Sequence, residues 1–164
     1  TYVDSELEKG TAVRIYLPAI SAESKEQGAK AATQPDVELA TGEGTVLMIE
    51  DQDVVIEVTQ VMLERLGYRV MVAKTGKDAI HITETFDGQI DLALLDIKLP
   101  DVEGGKVYPL IMQARPDLKV IVFSGYSIDG PARGILDAGA QGFIQKPFSL
   151  ATLSNKLKEV LERK

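Results

Sequence analysis

The chain has 164 residues, 45% of them hydrophobic, and its 25 acidic and 18 basic residues give a formal net charge of −7. This length can bury one good core, and the acidic balance argues against nucleic acid or an anionic membrane surface as a direct partner. The absence of cysteine excludes disulfides and thiolate metal sites and fits a cytoplasmic protein. No apolar run approaches the roughly 20 residues of a membrane span, so we expect no direct membrane contact by this chain. A longer parent protein could still be membrane-anchored.

The first 44 residues predict a strand followed by a linker. Residues 11–17 alternate apolar and polar side chains, which is typical of a strand. Residues 21–44 hold few apolar side chains, and burying so few cannot offset the entropy of ordering the segment. We therefore predict a mobile linker there. The strand must either stay disordered or pair with a sheet edge, that of the domain predicted from residue 45 onward or that of a second molecule. We predict that it pairs, and the second case would give a dimer.

From residue 45 onward the pattern alternates between strand and helix. The first predicted helix carries an apolar stripe, and Gly67 then marks its end. The stripe consists of Val54, Val55, Val58, Val61, Met62 and Leu66. The predicted strands occupy residues 46–49, 68–73, 92–95, 120–123 and 143–144. Five strand–helix pairs predict an α/β fold, an open, doubly wound, five-stranded parallel sheet with helices on both faces.

Polar residues at helix starts sharpen this prediction. Thr75 is expected to cap the second helix and Ser149 the last one. Asp53 is interpreted as a cap of the first helix rather than as a metal ligand. Pro109 lies inside the third predicted helix, about residues 105–114, and is expected to kink it.

Carboxylates follow two of the buried strands. Asp96 ends the apolar run 92–95, and Glu50 with Asp51 follows the run 46–49. An ionised carboxylate in such a place is costly unless a cation or a chemical task holds it there. The carboxyl ends of parallel strands open onto one crevice, where doubly wound sheets bind ligands. Three carboxylates in that crevice favour a divalent cation, and all-oxygen ligands suit magnesium.

Residues 45–164 resemble a response-regulator receiver domain. The resemblance rests on four motifs that follow strands in the right order: Glu50-Asp51, Asp96 with Pro100 four residues later, Ser124 after the fourth strand, and Lys146-Pro147 after the fifth. It implies the flavodoxin-like strand order 2-1-3-4-5.

The resemblance also implies a chemistry. Asp96 would be the nucleophile that takes a phosphoryl group from a phosphohistidine and forms an aspartyl phosphate. Asp51, Asp96 and the backbone carbonyl of Lys98 would hold Mg²⁺, with Glu50 acting largely through water. Lys146 would pair with one phosphoryl oxygen and Ser124 would donate a hydrogen bond to another. The donor would be a histidine kinase core, in cis or in trans, or a histidine phosphotransfer protein.

In such domains the hydroxyl moves toward the phosphoryl group and an aromatic side chain turns inward behind it. Here that aromatic residue is Phe143, which could equally be an ordinary core residue. The movement would bias the face formed by the receiver's fourth helix and fifth strand. Lys98 and Tyr126 occupy the positions that flank the path of the hydrolytic water, and we expect the bulky Tyr126 to slow dephosphorylation.

The first 20 residues are similar to the last hairpin of the ATP-binding domain of sensor histidine kinases. The similar segments are Asp4-Ser5-Glu6, Lys9-Gly10-Thr11 and Ile15-Tyr16-Leu17-Pro18. The implied layout is a kinase remnant at 1–20, a linker at 21–44 and a receiver at 45–164, as at the C-terminus of a hybrid sensor histidine kinase. The kinase's ATP-binding and phosphohistidine motifs do not occur in this sequence. We therefore expect no kinase activity, only self-catalysed phosphotransfer and slow dephosphorylation.

Two other functions compete with this interpretation. A phosphatase of the haloacid-dehalogenase type also forms an aspartyl phosphate with magnesium, but it needs a second Asp two residues after the nucleophile. Lys98 occupies that position. A pure interaction module without chemistry is the third alternative, and the complete acidic set argues against it.

Overall fold

A short antiparallel pair of strands forms the first of two units in the chain. The computed structural model describes residues 2–6, 10–14, 41–125, 128 and 130–162, and the units are Thr1–Asp36 and Val37–Lys164. Strand β1 (Tyr2–Glu6) pairs with β2 (Gly10–Arg14). The strand predicted at 11–17 is therefore paired over residues 11–14, but its partner is the preceding strand β1 rather than the receiver sheet or the second molecule that we expected. Residues 15–17 and the predicted linker up to residue 40 lie outside the described residues.

The second unit is a doubly wound parallel sheet. Its strands lie in the order β4-β3-β5-β6-β7, which confirms the predicted order 2-1-3-4-5 when counting starts at β3. The elements are β3 (Thr45–Ile49), α1 (Asp53–Arg65), β4 (Arg69–Ala73), α2 (Gly76–Thr85), β5 (Leu92–Asp96), α3 (Gly104–Ala114), β6 (Lys119–Ser124), α4 (Pro131–Asp137), β7 (Gly142–Gln145) and α5 (Leu150–Glu162). Among the described residues, no helix combines the length and apolar character needed to cross a bilayer.

Alternate side chains of the central strands build a core on each face of the sheet. One core packs residues such as Leu47 and Leu95 against α2, α3 and α4. The other packs residues such as Val46 and Leu94 against α1 and α5. Side chains in the middle of β3 and β5 are fully buried, and each contributes about 1.5–3 kcal/mol relative to an exposed position. The sheet is therefore a rigid platform for whatever follows its strands.

The helix starts confirm two of the three predicted caps. Thr75 Oγ1 accepts a hydrogen bond from Asp78 N at 3.0 Å, and Ser149 Oγ accepts one from Thr152 N at 3.1 Å. The prediction for Asp53 is wrong, because Asp53 is already the first residue of α1 and Gln52 precedes it without a side-chain bond. The Asp53 carboxylate instead pairs with Lys74, with 2.5 Å between Oδ1 and Nζ.

The apolar stripe of α1 is only partly buried, contrary to what a core-facing stripe implies. The residues of α1 that the sheet buries are Ile56, Thr59 and Leu63. Val54 and Val61 are 74% and 65% exposed, and Val58 is 50% exposed. The apolar surface of α1 therefore continues round the helix beyond what the core covers. Pro109 lies inside α3, which continues to Ala114.

Candidate active site

The carboxyl ends of β3 and β5 bring the predicted carboxylates together. The two strands are in register with Ile49 beside Leu95, so Glu50 and Asp96 follow at adjacent positions. Glu50 is fully buried, Asp96 is 4% exposed and Asp51 is exposed. One carboxylate oxygen from each of the three lies within 4.8 Å of the others. This spacing fits a shared divalent cation with oxygen ligands.

Lys146 joins the buried carboxylates. Its Nζ lies 2.9 Å from Asp96 Oδ2 and also forms an ion pair with Glu50. The loop after β7 delivers this side chain, because Lys146 N donates to Ser124 O at 2.7 Å. The Lys146–Pro147 peptide bond is cis. An ammonium group between two buried carboxylates offsets the free-energy cost of removing them from water. Without this partner, burial of either ionised carboxylate would be strongly unfavourable.

The electrostatics of Glu50 show that this balance is incomplete. Burial raises the pKa of Glu50, and the hydrogen bond and positive charge of Lys146 lower it again. The neighbouring Asp96 raises it further, and the hydrogen bond that Glu50 Oε1 accepts from Gln52 N lowers it, at 3.2 Å. The net direction is a pKa above the ordinary value. A further cation in the pocket would therefore stabilise the ionised site.

One aromatic ring contacts Lys146 and a second ring packs against the first, an arrangement that the sequence did not predict. Lys146 Nζ lies 4.5 Å from the centroid of the Phe123 ring, within the range of a cation–π contact. Phe148 packs edge-on against Phe123, with the ring centroids 5.0 Å apart. In the sequence, Phe123 ends an apolar run and looks like any core residue. Only the adjacency of β6 to the loop after β7 reveals its contact with the lysine.

The loop between β5 and α3 returns closely over Asp96. Lys98 N donates to Asp96 Oδ1 at 3.3 Å, and Gly104 N donates to Ile97 O at 2.9 Å. A Cβ added to Gly104 would lie 2.4 Å from the backbone oxygen of Asp96. Only glycine permits this approach, so the start of α3 presses directly on the backbone of the nucleophile candidate.

The remaining predicted residues lie at different distances from this centre. Ser124 is fully buried at the end of β6, one residue beyond Phe123, the register partner of Asp96. Phe143 lies on β7, half-buried against the core on the side of α2, α3 and α4. Tyr126 lies outside the described residues.

An apolar groove of about 500 Å³ opens beside the carboxylates. One wall is the exposed apolar surface of α1, and the other is the loop that carries Lys146. Its lining includes Val54, Val55, Val58, Met62, Phe148 and Asp96. Asp96 thus lies in the lining of a groove whose wall on α1 is largely apolar.

Fold and site together define an α/β domain with an acidic, lysine-paired pocket at the carboxyl edge of its sheet. Residues 46–158 match the family model described as the response regulator receiver domain. The chain belongs to that family.

Its relatives include proteins of several architectures. The chain is 37% identical to the sensor kinase CckA of Brucella abortus (strain 2308) over 166 residues, covering 99% of this chain and 18% of the kinase. It is 32% identical to a cyclic di-GMP phosphodiesterase of Thermotoga maritima over 120 residues, covering 73% of this chain and 32% of that protein. The chain thus spans less than a third of each relative's length.

Solved structures agree on the fold. A CheY-like receiver domain protein from Methanospirillum hungatei JF-1 superposes with a TM-score of 0.68 at 33% identity, covering 74% of this chain and 95% of that one. The receiver domain of a sensor histidine kinase from Pseudomonas aeruginosa PAO1 gives a TM-score of 0.67 at 27% identity, covering 74% of this chain and all of that one. That crystal structure has a magnesium ion coordinated in its active site cleft.

Proposed function

We propose that this receiver accepts a phosphoryl group from a phosphohistidine onto Asp96. A carboxylate oxygen of Asp96 attacks phosphorus as the P–N bond to the donor imidazole breaks. The electron pair of that bond stays on the imidazole nitrogen, which takes up a proton from water, and neutral histidine leaves. The product is an aspartyl phosphate. The observation that carries the proposal is the buried Asp96 carboxylate beside the paired Lys146 in a domain of the receiver family.

The three carboxylates fit a magnesium ion, since one oxygen from each lies within 4.8 Å of the others and Mg²⁺ prefers oxygen ligands. Asp51, Asp96 and the backbone carbonyl of Lys98 would hold the ion, with Glu50 acting through water. Bound Mg²⁺ supplies neutralisation of the charge on the transferring group. Asp51, the exposed member of the set, would complete the ion's shell from the solvent side.

Lys146 and Ser124 would bind the product. Lys146 Nζ already touches Asp96 Oδ2, so a small shift would let it pair with a phosphoryl oxygen. Ser124 would donate its hydroxyl to another oxygen. Phe143, half-buried on β7, would follow the hydroxyl inward and bias the α4/β7 face between two states. Tyr126 would slow the water that hydrolyses the aspartyl phosphate.

We propose that the donor docks along the apolar groove beside Asp96. Val54 and Val58 are at least half exposed on α1 and line the groove that reaches Asp96. Exposed apolar residues spaced along a helix suit a partner helix laid against it. A phosphohistidine carried on such a helix would place its phosphorus atom next to the Asp96 carboxylate.

The chain would be the C-terminal part of a hybrid sensor histidine kinase. The similarity to a sensor kinase covers 99% of this chain, including residues before the receiver. Strands β1 and β2 form a two-stranded antiparallel pair, which is marginal alone in water and would belong to the sheet of a kinase ATP-binding domain. The phosphodonor would then be that kinase core, in cis or in trans, or a histidine phosphotransfer protein. A cytoplasmic location and dimerisation through the N-terminal strand stay predictions.

Labelling with acetyl phosphate tests the central step. With Mg²⁺ present, we expect one stable, base-labile phosphoryl group per chain, detected by phosphate-affinity electrophoresis. Asp96→Asn should abolish the label, because an amide is not a nucleophile here. Labelling that persists in Asp96→Asn, or an absence of labelling in the native chain, would contradict the proposal. Continuous turnover of acetyl phosphate would indicate the phosphatase alternative instead.

A pair of surface variants tests the docking groove. In Val54→Ser/Val58→Ser, phosphotransfer from a phosphorylated histidine kinase core should slow by about tenfold, since roughly 1.4 kcal/mol of apolar contact is lost. Labelling by acetyl phosphate should not change. Leu110→Ser alters a comparably exposed apolar residue on α3 and serves as the matched control. Equal transfer rates in both variants would show that the donor binds elsewhere.

A further inference from the structure

The loop between β5 and α3 is fastened to helix α2 by a carboxylate. Asp101 Oδ1 accepts a hydrogen bond from Gly76 N at 2.8 Å, and its Oδ2 accepts one from Lys77 N at 3.0 Å. Thr75 takes the next amide of the helix, that of Asp78. The first N–H groups of α2, which a helix leaves without internal partners, are thus bonded, two of them by a residue about 25 positions away.

Close packing reinforces this attachment. A Cβ added to Gly76 would lie 2.7 Å from Val107 Cγ2 and 3.1 Å from Val102 Cβ. Glycine at this position lets the backbone of α2 approach the loop closely enough for both hydrogen bonds. Partial desolvation alone would raise the pKa of Asp101, but the amides of Gly76 and Lys77 among others hold it below its ordinary value. The ionised carboxylate is therefore the form that the helix start selects.

The same loop is also fixed at its base, next to the site. Gly104 N donates to Ile97 O, and Lys98 N donates to Asp96 Oδ1. Lys98 therefore lies between an anchor on the nucleophile's own strand and the anchor that Asp101 makes on α2. Asp101, which makes the second anchor, takes no part in the chemistry at Asp96, but it follows Lys98 by only three residues in the chain.

We infer that Asp101 is a positioning residue: its carboxylate, bound to the first amides of α2, holds the loop so that the backbone carbonyl of Lys98 faces the magnesium pocket. The inference rests on the proposed function, in which that carbonyl is a metal ligand. Groups that orient a metal ligand without touching the metal typically change affinity by 10–100-fold when removed. Helix α2 thereby becomes part of the support of the site, although none of its side chains takes part in the chemistry.

The test measures magnesium binding by the full 164-residue chain through isothermal titration calorimetry. Asp101→Ala should raise the dissociation constant for Mg²⁺ by about tenfold. Its rate of labelling by acetyl phosphate should fall at limiting Mg²⁺ and recover at saturating Mg²⁺, because the nucleophile itself is unchanged. Asp101→Asn keeps one of the two acceptor oxygens, so its affinity should lie between those of Asp101→Ala and the native chain.

Asp78→Ala is the matched control. It removes an equal charge from the exposed first turn of the same helix without touching the loop, and its magnesium affinity should equal that of the native chain. In metal-free protein, hydrogen exchange at the Gly76 and Lys77 amides should accelerate in Asp101→Ala, which reports the loss of the anchor directly.

The outcomes separate the inference from the proposed function. If the native chain binds no Mg²⁺ and takes no label, the proposed function fails, and the role of Asp101 falls with it. If the native chain binds and labels normally but Asp101→Ala has the same magnesium affinity, only the inference is overturned. A lower melting temperature without a change in affinity would likewise overturn it, because that result describes a helix cap and nothing more. Graded affinities across native, Asn and Ala chains would support it.

Discussion

The two ends of the five-stranded sheet use charged residues in opposite ways. At the carboxyl edge, Lys146 pairs with Glu50 and Asp96, so side chains hold one another. At the amino edge, Arg115 and Lys119 bond to backbone oxygens. Backbone partners are fixed by the fold, whereas side-chain partners can exchange for a metal ion or a phosphoryl group. We therefore expect the charges of the carboxyl edge to serve the proposed phosphoryl transfer as well as stability, and those of the amino edge to serve stability alone.

At the amino edge, two basic side chains each donate hydrogen bonds to several backbone carbonyl oxygens near the end of a helix. Arg115 donates to the backbone oxygens of Thr83 at 2.8 Å and Gly88 at 2.9 Å, and also to that of Phe86. It thereby satisfies carbonyls at and after the end of α2 that have no partner within the helix. Lys119 Nζ does the same for α5 through the oxygens of Val160 and Leu161, at 3.0 and 2.8 Å.

The largest effect should come from Lys146→Met. Without the ammonium group, two buried carboxylates face each other unpaired, and we expect the free energy of unfolding without metal to fall by about 3 kcal/mol. Labelling by acetyl phosphate should be nearly lost. Urea denaturation with and without Mg²⁺ measures the first effect, and Mg²⁺ should restore part of the stability because it neutralises the same carboxylates. No loss of stability in the metal-free variant would mean that the carboxylates are not both ionised in the native chain.

Arg115→Ala should affect stability and spare the chemistry. Loss of a half-buried guanidinium that bonds three carbonyls should cost about 2 kcal/mol of unfolding free energy. The labelling rate at saturating Mg²⁺ should match that of the native chain. Arg133→Ala is the control, since Arg133 forms only an exposed pair with Asp137, worth about 0–1 kcal/mol. A labelling defect in Arg115→Ala would break the division between the two edges.

The smallest effect should come from Lys119→Met, which keeps the apolar stem and removes the ammonium group. We expect a loss of about 1 kcal/mol, because two terminal carbonyls of α5 lose a charged donor. Lys158→Met removes a lysine on the surface of α5, 4.0 Å from Glu162, and should be close to neutral. Thermal denaturation of the two variants side by side measures the difference. Identical melting temperatures would show that the contact of Lys119 with the end of α5 contributes no more stability than an exposed ion pair does.

The succession of strands and helices, the helix caps at Thr75 and Ser149, and the carboxylates at Glu50 and Asp96 could all be predicted from the residues alone. Each depends on local signals: a run of apolar residues, a hydroxyl before a helix, or a charge where a buried strand stops. The order of the strands in the sheet has no such local signal and came from the resemblance to a known family. The resemblance to a known family supplied Lys146, whose ion pair with Glu50 joins residues 96 positions apart. No local signal encodes that distance.

Other features could not be predicted for the same reason. Asp101 binds the start of α2, and Arg115 binds its last turn and the residues after it, across 24 to 32 positions. Neither residue stands out in its own segment. The apolar stripe of α1 shows the reverse error. Its pattern correctly indicates a helix. Periodicity alone, however, does not show which apolar residues of the helix pack against the core and which, like Val54 and Val61, remain exposed to solvent.

Gly104 sets a boundary on how the domain can be re-engineered. Residues of the β5–α3 loop with exposed side chains, such as Lys98 and Glu103, can vary in size without meeting the sheet. Position 104 cannot, because even a methyl group would collide with the Asp96 carbonyl. A library that diversifies this loop should therefore keep position 104 as glycine, in addition to the Asp101 anchor. Among functional variants recovered from random mutagenesis, substitutions at position 104 should be the rarest.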